Sequence, residues 1–267
     1  MNPEFGQADL DAEIVFDRLL SDTDLAVLQE ELVRLAPKWS TRLRVWRGPR
    51  DQRPIDPADP AALGRAVLAA VGERGATYQR LVAEHGAGQF ERMSGSAELR
   101  GAGPELVVIV SVDELVLSPM GTRKLLGNRI ALQVRRPSVA GRPGTQWLAE
   151  MFEALCARLA PAWGHAEHPA EYWAKVMSQS PRIEAIGRDF GRYLPGVFWL
   201  NFFGAAYTER IGAERFAALP PEFTTTVATG RLVRLATAPL TWSTPDYAID
   251  ERLVRDTLGR HHFFEKP

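Results

Sequence analysis

Few side chains in this sequence could do chemistry, and their spacing decides what each could do. There are five histidines and one cysteine. His165 and His168 stand three apart, a spacing that can bring two imidazoles to one side of a helical turn. Pro161, Gly164 and Pro169 crowd them, however, and no third ligand is near, so the pair reads as part of a solvated loop and no metal is expected. His261 and His262 follow a helix end, where imidazoles can meet free carbonyls and the negative end of the dipole. Cys156 lies between Leu155 and Leu159 on an apolar stripe and reads as a buried, inert thiol. Asp113 and Glu114 follow a strand, as the carboxylates of a metal-dependent nuclease do, but no matching Glu-x-Lys accompanies them. HAEH at 165–168 is not the HExxH of a metalloprotease, and no Gly-x-Ser-x-Gly elbow or Walker loop is present. Gly86-Ala87-Gly88 lacks the third glycine and the preceding strand of a dinucleotide turn. The expectation is a protein without cofactor and without catalysis. A hydrolase using Asp113, Glu114 or a histidine remains the alternative.

The elements that must carry these residues follow from periodicity. Leu25, Leu28, Leu32 and Leu35 recur at three and four between Asp22 and Pro37, which predicts an amphipathic helix capped by Asp22 or Thr23. Thr41 to Gly48 alternates as a strand, and the Pro- and Asp-rich stretch Pro49 to Pro60 reads as a loop. Leu63, Val67, Leu68 and Val71 give the next helix one face, and Ala76 to Glu84 is predicted helical as well. Leu106 to Val112 and Arg129 to Arg136 are strands, the first fully buried. Trp147, Met151, Leu155 and Leu159 repeat at four-residue steps from Gln146 to Leu159, the clearest helix in the chain. Tyr193 to Gly204 reads as a Pro-Gly turn feeding a short apolar strand with Trp199 inside it, followed by short helices at Ala205 to Ile211 and Ala213 to Leu219. Thr224 to Ala228 and Arg231 to Ala236 flank Thr229-Gly230 as a hairpin. A last helix runs from Tyr247 to Leu258 and stops at Gly259. Helices interleaved with hairpins favour an α+β fold with a mixed or antiparallel sheet flanked by helices. Residues 1–38 form an acidic segment with a helix, part of the same fold, and residues 39–267 the main domain.

Composition narrows the partners. The chain has 267 residues, 45% hydrophobic and 24% charged, with 32 Lys and Arg against 33 Asp and Glu, so no net field favours nucleic acid or a membrane surface. The start carries no Lys or Arg before Arg18, unlike a secretory signal, and no apolar run approaches the ~20 residues of a spanning helix. A single cysteine leaves no internal disulfide. A cytoplasmic protein fits these features.

Two features suggest binding. The first thirty-one residues hold Glu4, Asp9, Asp11, Glu13, Asp17, Asp22, Asp24, Glu30 and Glu31 against Arg18 alone; clustered charge of one sign steers encounter with an oppositely charged protein, although it also suits a frayed, solvated terminus. Seven tryptophans and twelve phenylalanines exceed what a chain without cofactor needs, and aromatics serve both cores and contact hot spots.

The segment LPGVFWLNFFG at 194–204, followed by Ala205, Ala206, Tyr207 and by Ile211-Gly212, resembles the signature stretch of the immunity protein 52 family of bacterial polymorphic toxin systems. Leu258-Gly259 followed by Phe263-Phe264 resembles that family's closing motif. The similarity runs from about Trp39 to the C-terminus and leaves the acidic first thirty residues outside. The resemblance implies an α+β immunity protein encoded beside a toxin, often a nuclease delivered by type VI secretion, and brings no catalytic residues with it. Within the motif, Pro195, Gly196, Trp199, Asn201 and Gly204 read as fold determinants: a turn, an aromatic anchor, an amide holding nearby backbone and a strand-ending glycine. The expected function is neutralisation of one cognate toxin by occlusion, with Asp9, Asp11, Glu13 and Asp17 as candidate toxin contacts. An adaptor or chaperone that carries an effector without inhibiting it is the remaining rival.

Overall fold

The computed structural model describes residues 9–46, 52–69, 94–113, 128–177, 194–236 and 238–263. Its fold is α+β. Among the described residues ten strands form one sheet, in the order β11-β12-β10-β9-β1-β6-β5-β4-β2-β3, and every strand pair in it is antiparallel. The central strand is β1 (Leu10–Phe16), where the sequence suggested only an acidic segment. It pairs with β6 (Asn128–Val134) on one side and with β9 (Trp163–Glu167) on the other. Beyond β6 lie β5 (Leu106–Asp113), β4 (Ser94–Arg100), β2 (Arg44–Trp46) and β3 (Gln52–Pro54); beyond β9 lie β10 (Leu200–Gly204), β12 (Gly230–Arg234) and β11 (Thr224–Val227).

One face of this sheet is the core. Leu10, Ala12 and Ile14 of β1, Val108 and Val110 of β5, Ile130 and Leu132 of β6, and Leu200 and Phe202 of β10 are all buried. Helix α1 (Asp22–Leu35) and helix α4 (Gly144–Leu159) close this face, and they pack on each other through their leucine and tryptophan stripes. The Trp147 indole also donates to the Leu35 carbonyl at 2.9 Å, which places the two helix ends in register. Helix α1 is capped by Ser21 rather than Asp22 or Thr23: its hydroxyl accepts from the Asp24 amide at 3.2 Å while the Asp24 carboxylate accepts from the Ser21 amide at 2.7 Å, a reciprocal capping box. A four-residue helix α2 (Pro37–Ser40) follows, and residues 62–69 form helix α3, tied to α1 where the Leu63 amide donates to the Gln29 side chain at 2.9 Å.

The opposite face is uneven. From β1 across to β2 its side chains, Glu13, Ala131, Ile109, Glu98 and Trp46 in one row, are half-buried. Over β9 and β10 it is covered by α5 (Pro169–Tyr172), a π-helical turn (Trp173–Met177), α7 (Ala213–Ala217) and α8 (Pro245–Leu258). Phe203 of β10 meets Phe216 of α7 edge to face, with ring centroids 5.3 Å apart. Helix α6 (Ala205–Ile211) links β10 to α7, and a small hairpin, β7 (Ser138–Val139) with β8 (Arg142–Pro143), precedes α4. The expected hairpin near residue 229 is present, with Val227 opposite Gly230. Its loop is Ala228-Thr229, and Gly230 belongs to the strand. A Cβ on Gly230 would lie 2.2 Å from the Phe203 carbonyl, so only glycine lets β12 approach β10 there.

The predicted helix at Ala76 to Glu84, Gly86 to Gly88, Glu4, Glu114, Tyr193 and Phe264 lie outside the described residues.

Candidate functional site

The polar side chains of β1 and β9 share the face of the sheet opposite the core, half-buried along β1 and covered along β9. Register sets Asp11 opposite Glu167, Glu13 opposite His165, and Val15 opposite Trp163. His165 and His168 therefore do not occupy a solvated loop. His165 is 1% exposed, and its ring is stacked 4.5 Å from Trp163 and 5.5 Å from Tyr172, with Phe198 at 4.8 Å. His168 caps α5, its Nδ1 accepting from the Ala170 amide at 3.1 Å. Among the described residues no group of three or more metal-ligating side chains is placed to hold an ion.

Behind the histidine lies a second cluster that the sequence reading missed. Glu171 is fully buried and accepts from Lys175 Nζ at 2.6 Å and from the Tyr247 hydroxyl at 2.7 Å. Lys175 also reaches Glu251 at 3.0 Å and donates to the Val197 carbonyl at 2.8 Å. One ammonium thus joins α5, α8 and the segment leading into β10, over the Phe198 and Tyr247 rings. A signal existed: Glu171 and Lys175 are four apart in the order that favours a helical ion pair. Burial raises the proton affinity of Glu171 although Lys175 and Tyr247 oppose it, and burial with the Glu171 charge pushes the Tyr247 hydroxyl up.

The residues of the 194–204 segment sit against this cluster. The Asn201 side chain, fully buried, accepts from the Phe198 amide at 2.9 Å and donates to the Phe198 carbonyl at 2.7 Å, which is the amide role expected of it. A Cβ on Gly204 would fall 2.3 Å from the Pro161 carbonyl oxygen, so glycine is required where β10 leaves the sheet. Gly196 has ordinary space, the nearest atom to such a Cβ being 3.6 Å away. Pro195 is buried, and Trp199, 2% exposed, is placed one residue before the strand rather than within it. Leu194 forms a parallel bridge to Phe263, and its amide donates to the His262 carbonyl at 2.9 Å, joining the central and closing motifs. His261 and His262 form a 3-10 turn after Gly259, and the last helical carbonyl, Leu258, is taken instead by Arg215 at 3.0 Å.

The described acidic residues from Asp9 to Glu31 lie on or beside β1 and α1. Arg135 lies 3.1 Å from Asp11 and 3.8 Å from Asp9, and Arg129 lies 2.6 Å from Glu13. Asp24 pairs with Arg18, and Glu30 and Glu31 with Arg158, each at 2.6 Å. Asp17, after the end of β1, and Asp22 are exposed. The four candidate contacts are thus brought to one strand and its two ends, with arginines beside three of them. Cys156 is fully buried, and burial raises its thiol affinity for the proton well above the ordinary range, as expected of an inert core cysteine.

No family model matches the chain, and no curated protein matches it in sequence. Among solved structures the fold is similar to that of the Pseudomonas aeruginosa T6SS protein PA0821. The two superpose with a TM-score of 0.53 at 14% sequence identity, over 96% of this chain and 73% of that chain. At that identity the likeness is one of fold.

Proposed function

We propose that this chain is an immunity protein of a type VI secretion system that binds a cognate toxin, a nuclease, and blocks it by occlusion. The observation that carries the reading is the likeness of fold, over 96% of the chain, to a protein described as a T6SS protein. The motif at 194–204 supports it from the side of sequence. In this reading Asp9, Asp11, Glu13 and Asp17 form an acidic line for the basic, phosphate-binding face of the nuclease. Their placement on and beside β1, three of them next to Arg135 and Arg129, supports a pre-organised surface, which costs less ordering on binding than a flexible arm.

The test is protection. The product of each gene flanking this one is expressed in a heterologous bacterium with and without this chain, and any product that kills is purified with the chain and assayed for nucleic-acid cleavage. The expected result is restored growth and loss of cleavage at equimolar chain. Binding without inhibition would identify an adaptor; cleavage and killing unchanged, with no complex formed, refutes the reading.

One observation favours a hydrolase instead, namely the gathering of titratable groups around His165. Their burial counts against it, because His165, Glu167 and Glu171 are each under 5% exposed and offer a substrate no approach.

A further inference from the structure

The pairing of β1 with β9 holds the two sides of the sheet together, since β1 alone stands between β9 and β6 in the strand order. At this seam Asp11 and Glu167 are directly opposed. Directly opposed side chains on antiparallel strands have Cβ atoms ~4.5–5.5 Å apart, and like charges there repel. Asp11 Oδ1 and Glu167 Oε2 are both sealed from solvent and neither accepts an aligned hydrogen bond, although Arg135 and His165 approach them at 3.1 and 3.2 Å. His165 Nδ1 is likewise sealed and unbonded.

The surrounding charges do not cancel. Asp9, Asp11 and Glu13 come from the β1 segment, Glu167 from β9, Glu171 from α5 and Glu251 from α8; against them stand Arg129 and Arg135 from β6 and the residue after it, Lys175 from the π turn and Arg255 from α8. The Tyr172 ring stacks on His165, and the Tyr247 hydroxyl donates to Glu171. Even a charged His165 leaves the carboxylates in excess. With Glu167 buried and Asp11 half-buried with its Oδ1 turned inward against it, two carboxylates so close resist ionising together, and the proton one of them keeps belongs to the coupled set.

We propose that Asp11, Glu167 and His165 form a proton-holding latch between β1 and β9: the trio takes up a proton as the chain folds, and the seam weakens when rising pH removes it. The proton affinities point the same way. Burial pushes Glu167 up to about 7, with His165 opposing and Asp11 assisting. Burial pushes Asp11 up to about 6 against the pull of Arg135. Burial works to lower His165, but Glu167, Glu13 and Glu171 outweigh it and raise it. All three groups have folded values above their unfolded ones, so their stabilisation is complete at low pH and is lost as pH rises, through about 6 for Asp11 and about 7 for Glu167, with His165 acting in the same direction. His262 has the opposite sign: burial, His261, Arg210 and Arg215 lower it to about 4, so its contribution is lost as pH falls below its unfolded value. The total profile mixes both, and only a difference between variants isolates the latch.

The experiment is chemical denaturation of the full chain at several pH values, comparing the wild type with Glu167→Gln, whose neutral amide mimics the protonated acid. The ratio of folding constants, variant over wild type, is expected to rise on the order of 10²-fold between about pH 4.5 and 8, from the displacement of Glu167 from 4.5 to about 7. Parallel profiles overturn the proposal. Should the variant fail to fold, carboxyl-carbon NMR of the wild type decides: Asp11 and Glu167 are expected to titrate as a coupled pair near 6 to 7, and completion of both near the ordinary carboxylate values overturns it. Asp11→Asn adds the coupling test, since it should lower the Glu167 midpoint; an unmoved midpoint refutes the shared proton.

Discussion

Replacing Asn201 by alanine measures what the segment at 194–204 contributes. The change removes one acceptor and one donor that the side chain presents to the Phe198 amide and carbonyl, at 2.9 and 2.7 Å in a fully buried setting. Each buried backbone group left without a partner costs ~1–3 kcal/mol, so the pair amounts to about 4 kcal/mol. For a chain of this size that corresponds to a melting temperature lower by roughly 8–16 °C. The assay is urea denaturation followed by the fluorescence of the seven tryptophans. Asn201→Asp sharpens it: the ionised carboxylate accepts from the Phe198 amide but faces the Phe198 carbonyl with a second acceptor, whereas the protonated acid restores the donor. This buried acid has a raised folded value, so the variant should approach the wild type as pH falls below ~4 and diverge as pH rises. The reasoning is refuted if Asn201→Ala stays within ~1 kcal/mol of the wild type, because such a result means the Phe198 backbone finds other partners.

Trp199→Ala should cost ~3–5 kcal/mol through the cavity it leaves, read as a lower urea midpoint; an unchanged midpoint would transfer Trp199 to the contact surface. Gly204→Ala drives a methyl group into the Pro161 carbonyl, so little soluble protein and a lowered melting temperature are expected, and a native-like melt would show that β10 shifts freely. Asp17→Asn, at an exposed position with no change to the sheet, should slow toxin association modestly and reduce its salt dependence in stopped-flow measurements. Neutralising Asp9, Asp11, Glu13 and Asp17 together should slow it far more but also disturb Arg129 and Arg135, so circular dichroism of that variant must accompany the rate.

The sequence made legible those elements whose burial is one-sided. Trp147, Met151, Leu155 and Leu159 announce α4 because that helix buries one stripe, and Leu106–Asp113 and Asn128–Val134 announce β5 and β6 by their branched residues. Strand β1 was hidden in plain alternation: Leu10, Ala12, Ile14 and Phe16 mark a half-buried strand, but the intervening Asp11 and Glu13 read as part of a charge run. Strand β9 gave no pattern at all, since all five residues of Trp163–Glu167 are buried and two of them are polar. A polar residue buried on a strand is recognisable only from its partners, and those of His165 come from β1 and from Phe198. The same holds for Glu171 and Tyr247, 76 residues apart. In the motif, Asn201 and Gly204 were legible because amide and glycine have narrow local roles, whereas nothing local showed that Leu194 would bridge to Phe263.

The central place of β1 also governs when the molecule can be completed on the ribosome. Its partners are Asn128–Val134 and Trp163–Glu167, so the strand leaves the exit tunnel with neither neighbour in existence and waits for roughly 150 further residues; at ~5–20 residues per second that is on the order of ten seconds. During that interval an alternating apolar strand with two open edges is a substrate for wrong pairing, and Asp11 and Glu13, costly once enclosed, act as guards on it. Nascent chains stalled before residue 128 should therefore engage holding chaperones, and those extended beyond residue 167 should release them.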